Sequence, residues 1–404
     1  MIFNFQRIKN YSALMPEKKS LSKFQVVLMA IAAGVSVANI YYNQPILKEI
    51  ASSFHVTENQ AGTISMLSQI GYGLGLFFII PLGDKINKKN LILTLLTLLT
   101  VALFLMTVAG SLFIVWTLSL LIGILSVSVQ VILPMAASLD SENRGKTVGT
   151  IFSGILIGIL AARVFSGFIA EWLSWRYVYG FSAMMTLIIT ALLRIYLPTV
   201  SNEFKGHYFT LLQSALLQIK RFSLLRKASL TGGLLFGVFC SFWTILTFHL
   251  SAPPFKFHPN TIGLFGIVAI AGALMAPAFG KLADKGYTKR SLLMAVSLVI
   301  LSVLLMKIFP TSVFVLIVAV LILDIGVQAT QVTNIAMIYT LDDTSHSRIN
   351  TIYMTSYFIG GALGTFVGLL CWKLGGWNWV TWQMLLWALL VLAIELKSKT
   401  LIQK

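Results

Sequence analysis

The sequence predicts an all-α membrane protein of twelve transmembrane helices in two pseudo-symmetric six-helix bundles. Three observations carry this. First, only 11% of the 404 residues are charged and 57% are hydrophobic, with a mean hydropathy of +0.87. Soluble domains are about 25% charged, so this chain must use lipid as its main solvent. Second, twelve apolar runs follow one another, each long enough to cross a bilayer. Third, the second half echoes the first at an offset of about 200 residues.

A spanning helix needs roughly 20 mostly apolar residues. Such runs lie at 24–47, 60–82, 91–110, 112–137, 147–170, 176–197, 228–250, 261–282, 291–309, 312–338, 350–372 and 376–395. Open strands would leave backbone groups unpaired in hydrocarbon, so every run is a helix. The runs form an N-terminal bundle, 24–197, and a C-terminal bundle, 228–396. Segment 1–23 has Lys18 and Lys19 but no apolar core or small-residue cleavage site, which reads as a cytoplasmic segment and not a cleaved signal. Residues 397–404 form a tail. The longest polar interval, 198–227, links the bundles. Within it Phe209, Leu212, Leu216, Leu217, Ile219 and Phe222 recur near helical spacing beside Gln218, Lys220 and Arg221. That pattern predicts an amphipathic helix lying on the membrane face.

Basic residues set the orientation. They crowd the segments before span 1, after every even span and at the tail, from Arg7, Lys9, Lys18 and Lys19 to Lys397, Lys399 and Lys404. The opposite segments hold only Lys48, Arg176, Lys256, Lys307 and Lys373. This bias places both termini in the cytoplasm of a multi-pass inner-membrane protein. The net charge of +17 is therefore topogenic, and nucleic acid is not an expected partner.

The internal echo is specific. Leu82-Gly83-Asp84-Lys85 matches Leu282-Ala283-Asp284-Lys285, and Gln130-Val131 matches Gln331-Val332. Gly158 matches Gly360, and Trp175 with Val178 matches Trp377 with Val380. Four matches in order indicate duplication of a six-helix unit. Parallel repeats with the site at their interface are a known transporter architecture.

Two loops carry the sharpest motif. Gly280-Lys281-Leu282-Ala283-Asp284-Lys285-Gly286-Tyr287-Thr288-Lys289-Arg290 joins spans 8 and 9. Pro81-Leu82-Gly83-Asp84-Lys85-Ile86-Asn87-Lys88-Lys89 joins spans 2 and 3. A carboxylate at a helix end among cations holds a short loop against a neighbouring helix N-terminus. Both loops resemble the signature loop of the major facilitator superfamily. The first copy departs from it, with Ile80 and Asn87 where glycines are usual. The resemblance implies gating roles for Asp84, Lys85, Lys88, Lys89, Gly280, Asp284, Lys285, Gly286, Lys289 and Arg290. Span 5 carries Gly154 to Arg163, with small residues four apart that allow close helix approach. It resembles the superfamily's antiporter motif without its proline and paired glycines. Span 4 has Leu118-Ser119-Leu120-Leu121 where proton-coupled drug exporters carry arginine. Ala38-Asn39-Ile40-Tyr41-Tyr42-Asn43-Gln44-Pro45, Phe239 to Thr244, Leu323 to Gln328 and Arg348 to Met354 resemble a bacterial branch of arabinose- and nucleoside-efflux-like permeases. By that resemblance the chain is a monomeric secondary transporter. The resemblance implies export of a small organic solute across the bacterial inner membrane by alternating access, with protons as the expected coupling partner; uptake or facilitated diffusion by the same fold is the alternative.

Physical chemistry singles out Asp324, about twelve residues into span 10. A carboxylate at that depth costs about 2.5–3.5 kcal/mol on insertion scales, so it faces a cavity or a partner. Arg163 is the intramembrane cation farthest from helix ends. The expectation is that Asp324 titrates and that Arg163 is its partner or a ligand for a substrate anion; a static buried ion pair is the alternative. Asn39, Tyr42, Gln130, Trp243, Gln328, Gln331, Asn334, Tyr353 and Tyr357 lie near the same depth, as cavity lining or as interhelical hydrogen bonds.

Other classes fit poorly. The five histidines do not cluster, so no metal site is expected, and Cys240 and Cys371 read as small buried hydrophobes. No phosphate loop appears, no catalytic residues are assigned, and no cofactor is expected. A membrane enzyme or sensor would need a convergent catalytic set or an output domain, and neither is present.

Overall fold

The computed structural model describes residues 21–140, 142–199, 207–342 and 345–397. Among the described residues nine helices are long and apolar enough to cross a membrane, and the last of them, His346–Lys397, holds spans 11 and 12. Its backbone leaves helical geometry at Gly375 and Gly376, the latter with φ of 61°, a value glycine accepts without steric cost. Span 1, opening at Lys23–Ala38, and span 8, Pro259–Asp284, complete the twelve.

Two spans that read as continuous in the sequence are broken. Span 1 ends its α-helix at Ala38, turns and closes through a short 3₁₀ helix at Gln44–Ile46, beyond which a separate short helix runs over Leu47–Phe54. Span 4 is split into Leu112–Leu125 and Ser128–Leu139. Broken helices in lipid need substitute partners for the freed backbone. Ser36 supplies one: its hydroxyl donates to the Ser126 carbonyl at 3.0 Å and meets the Ser128 hydroxyl at 2.7 Å. Asn43 does the same within span 1, donating to the Ile40 carbonyl at 3.1 Å while accepting from Ser65.

Each half is drawn together by the same device. A β-carbon on Gly154 or Gly158 of span 5 would collide with the backbone of span 1 at Ala30 and Gly34. In the second half, Gly360 and Gly364 of span 11 press on Gly233 and Gly237 of span 7 in the same way. Spans 1 and 7 are thus clamped against spans 5 and 11, the counterpart pairs of the duplication, by small residues.

An even number of spans puts the outer ends of spans 1 and 12, Lys23 and Lys397, on one face, the near face. The linker helix Tyr208–Arg221 lies there. It is tied to the first half by Tyr208 donating to the Phe78 carbonyl, and to the second by Arg221 pairing with Asp342 at 2.8 Å. Phe209, Leu216 and Leu217 stay exposed along it, as an amphipathic membrane-surface helix requires. Lys227 at the start of span 7 pairs with the buried Glu395 of span 12 at 2.6 Å.

On the opposite, far face the two halves bond directly. Lys48 donates to the Ser251 carbonyl at 3.0 Å, Trp372 to Glu58 at 2.7 Å, and His258 sits 3.2 Å from Glu171. Span 5 packs on span 8 closely enough that Gly167 leaves no room for a side chain beside Pro259.

Candidate functional site

The break in span 1 positions the site. Past Ala38 the chain no longer follows the phase of the preceding helix, and Tyr41 and Gln44 turn toward the middle of the molecule. There Arg163 of span 5 is almost wholly enclosed, 1% exposed. Its Nε donates to the Gln44 side-chain carbonyl at 2.8 Å. Its guanidinium lies over the Trp243 ring at 3.9 Å and beside the rings of Tyr41 at 5.0 Å and Phe239 at 5.9 Å. Rings are favourable neighbours for a desolvated guanidinium. Span 8 seals the backbone side, with Gly263 against the Arg163 carbonyl. The arginine of the first half is therefore boxed by two residues of span 1, Tyr41 and Gln44, and by two aromatic residues of the second half, Phe239 and Trp243.

Asp324 is 3% exposed and so does not face lipid. It lies within electrostatic reach of Arg163, Tyr41 and Tyr357. Yet no oxygen of Asp324 comes within 4.0 Å of an Arg163 nitrogen, and Asp324 Oδ2 and Arg163 Nη2 are both buried without a hydrogen bond. Trp243 Nε1 is a third buried group in the same position. A static ion pair, the alternative reading of the sequence, is not what these two residues form. The centre is also enclosed, Arg163, Trp243 and Asp324 all being buried.

The remaining expected residues separate into two groups. Trp243 and Tyr357 belong to the centre, Tyr357 stacked on Phe236 at 4.0 Å. Gln130 donates to the Tyr72 hydroxyl at 3.2 Å, and Tyr72 in turn contacts the Phe358 ring across the halves at 4.3 Å. Gln328 and Gln331 are half-buried on the face of span 10 that carries Asp324, and Gln331 reaches Met354 sulfur at 3.9 Å. Asn334 and Tyr353 lie nearer the terminal face, fully buried, with Asn334 donating to the Ala228 carbonyl at 3.4 Å and Tyr353 against Gly232. Asn39 and Tyr42 instead turn into the first half. Asn39 donates to the Val35 carbonyl at 2.8 Å and accepts from Ser182 at 2.8 Å, and Tyr42 packs its ring on Phe165. They bind helices together and do not reach the centre.

Of the loop residues, Asp84 lies near Lys88 and near Arg348 at the opening of span 11, in the other half. Lys85 is exposed, and Lys89 donates to the Leu197 carbonyl at 2.6 Å. Gly286 has φ of 83°, which the tight turn into span 9 demands. Arg290 lies over Tyr287 at 5.3 Å, and Lys289 also has an interaction partner. The side chains of Gly280 and Asp284 lie outside the described residues.

Tyr41, Gln44, Phe239 and Cys240 reach the centre without having been picked out as site residues. Gln44 carries the most: its side chain holds Arg163, and its backbone carbonyl accepts from Thr247 of the second half at 2.6 Å. The one available signal was Gln44-Pro45 inside an apolar run, where proline marks a helix break that exposes polar groups. Among the described residues no group of histidine, cysteine and acidic side chains could hold a metal.

Two six-helix halves meeting over a sealed, partly unsatisfied polar centre define a polytopic transporter. The chain belongs to the Major Facilitator Superfamily, whose model matches residues 29–348 and 234–398. An uncharacterized transporter of Escherichia coli O157:H7, YgaY, is 38% identical over 358 residues, covering 88% of this chain and 91% of that one. The inner membrane transport protein YnfM of Escherichia coli K12 is 24% identical over 277 residues, 66% of each chain. The fold matches a crystal structure of a bacterial homologue of the human lysosomal transporter Spinster, in an inward-facing and occupied conformation. The TM-score is 0.70 at 12% identity, over 92% of this chain and 96% of that one. The protein is thus a transporter of this superfamily and not an enzyme.

Proposed function

We propose that the protein exports a small organic solute across the bacterial cytoplasmic membrane in exchange for protons, as a monomer working by alternating access. The observation that carries this is the central pair. Asp324 and Arg163 come from opposite halves, are both desolvated, and leave hydrogen-bonding capacity unused. Keeping such groups in lipid without pairing them is costly, and a function is the ordinary reason for it. In this reading Asp324 exchanges a proton for solute, Arg163 recognises an anionic or polar group, and the Asp84 and Asp284 loops steady the near face. That near face is cytoplasmic by the positive-inside bias, and YnfM, a relative, is named for the inner membrane.

Alternating access then requires the far-face bonds to break as the halves rock. The test is a solute screen with purified protein in proteoliposomes, with and without a pH gradient. Solute-dependent proton flux out of step with solute movement is expected, and Asp324→Asn should lower gradient-driven transport at least about 100-fold. Unchanged proton dependence in Asp324→Asn would overturn the coupling role, and solute moving in the same direction as the protons would overturn the exchange.

A further inference from the structure

The unsatisfied atoms at the centre have a definite chemistry. Two are donors, Arg163 Nη2 and Trp243 Nε1, on side chains that stack on one another, the guanidinium carbon 3.9 Å from the indole centroid. The third, Asp324 Oδ2, is an acceptor on span 10. All three residues are at least nineteen-twentieths buried, at 1%, 3% and 3% exposure. A solute that satisfied all three would offer acceptors to the first two and a donor to the third. A carboxylate suits a guanidinium with a neighbouring N–H, because two donors then meet two oxygens. An ammonium suits a lone carboxylate oxygen.

The surroundings say what the rest of the solute must be. On the near-face side of the pair, span 7 presents Phe239 and Phe236 and span 11 presents Tyr357 and Phe358. Phe236 stacks on Tyr357 at 4.0 Å and meets Phe358 at 5.1 Å. These rings offer flat apolar surface and few hydrogen-bonding groups. A sugar, with hydroxyls on every face, would leave most of its own groups unpaired there.

We propose that the transported solute is a small zwitterion with an apolar body: a carboxylate held by Arg163 and Trp243, an amine held by Asp324, and a hydrocarbon or aromatic part against the rings of spans 7 and 11. This rests on the exporter reading and specifies its substrate class. It also gives the exchange a physical basis. The amine and a proton compete for one carboxylate, so a proton arriving at Asp324 from the far side releases the amine. Nothing is oxidised or made in the cycle; one proton replaces one ammonium contact and the reverse.

The test compares four molecules of one shape: phenylalanine, phenethylamine without the carboxylate, 3-phenylpropionate without the amine, and 3-phenylpropanol without either. Binding to the full-length protein in nanodiscs is read by tryptophan fluorescence and by ligand-induced shift of melting temperature, with leucine and glycine as body-size controls. Phenylalanine or leucine should bind at least about 30-fold more tightly than either singly charged analogue, and glycine more weakly than both amino acids. Trp243→Phe keeps the ring and removes the N–H. It should weaken the amino acids and phenylpropionate about three- to tenfold and leave phenethylamine unchanged. Arg163→Gln should make amino acid and amine bind alike, and Asp324→Asn should do the same for amino acid and acid. Equal or tighter binding of the alcohol or of one singly charged analogue overturns the zwitterion, as does failure of every amino acid to bind. The transport assay separates the two claims. A neutral solute moved with proton dependence that Asp324→Asn abolishes would leave proton-coupled export standing and remove the zwitterion alone.

Discussion

The far-face seam and the centre of the molecule lie in the same interface but treat polar groups in opposite ways. Along the seam paired side chains dominate: Lys48 with Ser251, Trp372 with Glu58, His258 with Glu171, and Thr247 with the backbone of Gln44, while of the seam groups named here Glu49 Oε2 alone is buried without a hydrogen-bond partner. At the centre, three polar atoms from both halves are buried with none. A seam of individually modest hydrogen bonds, about 0.5–1.5 kcal/mol each, can close and reopen. An unsatisfied centre waits for something from outside the chain. The contrast separates the part that switches from the part that recognises, and Gln44 joins them, bonding Arg163 through its side chain and Thr247 through its backbone.

The largest expected effect breaks the centre while sparing the fold. Arg163→Gln with Asp324→Asn together should abolish transport, to below about one-hundredth of the parent rate. The double variant should still unfold at a temperature equal to or above either single variant. The reason is that each single change leaves one buried charge with a weaker counter-charge, whereas the double removes both, an effect of about 1–3 kcal/mol. Thermal unfolding in detergent beside transport in proteoliposomes checks both halves of this. A double variant less stable than both singles would mean the pair is structural.

Gln44→Ala comes next. It removes the one hydrogen bond Arg163 makes while leaving the Thr247 bond to backbone intact. Transport should fall about tenfold with little change in how often the far side opens. Thr247→Val does the reverse, removing a seam bond and no central group. It should raise the population open on the far face about five-fold, by the worth of one hydrogen bond, as read by labelling of a cysteine placed under the seam. If Gln44→Ala instead opens the seam as strongly as Thr247→Val, the two regions are not separable.

The same contrast explains what the sequence disclosed. Twelve spans, two halves and the linker helix were legible because hydropathy over about 20 residues averages away local detail. Arg163 and Asp324 were legible because a charge in hydrocarbon is expensive wherever it points. Which uncharged residues join them was not. That depends on helix phase, and the phase of span 1 is lost where the helix breaks between Ala38 and Leu47. A continuous helix through 24–47 groups Asn39 and Tyr42 with the centre; the actual turn sends both toward span 6 and span 5 and brings in Tyr41 and Gln44. Phe239 was hidden for a different reason. One more phenylalanine in an apolar span carries no signal until the guanidinium beside it is located.

The smallest expected effect concerns pH at the seam. Glu49, in the short helix beyond span 1, lines a cavity of about 610 Å³ with Lys48, Ser52, Ser251, Lys256 and His258. Burial pushes its carboxyl up from 4.5 to about 7, against the opposing pull of Lys48 and His258 and with the help of Glu171. When the far face opens, water reaches Glu49 and its affinity for a proton returns toward the ordinary value. The closed seam therefore binds the proton more tightly. Its advantage is complete below about pH 4.5, is lost progressively as pH rises toward 7, and changes no further above that. Acidifying the far side from pH 7.5 to 5 should thus shift the protein toward the closed seam, by a few-fold in labelling rate. Glu49→Gln, neutral at every pH, should flatten most of that dependence and leave solute affinity as it was. A response to pH of equal size in Glu49→Gln would overturn Glu49 as the sensor.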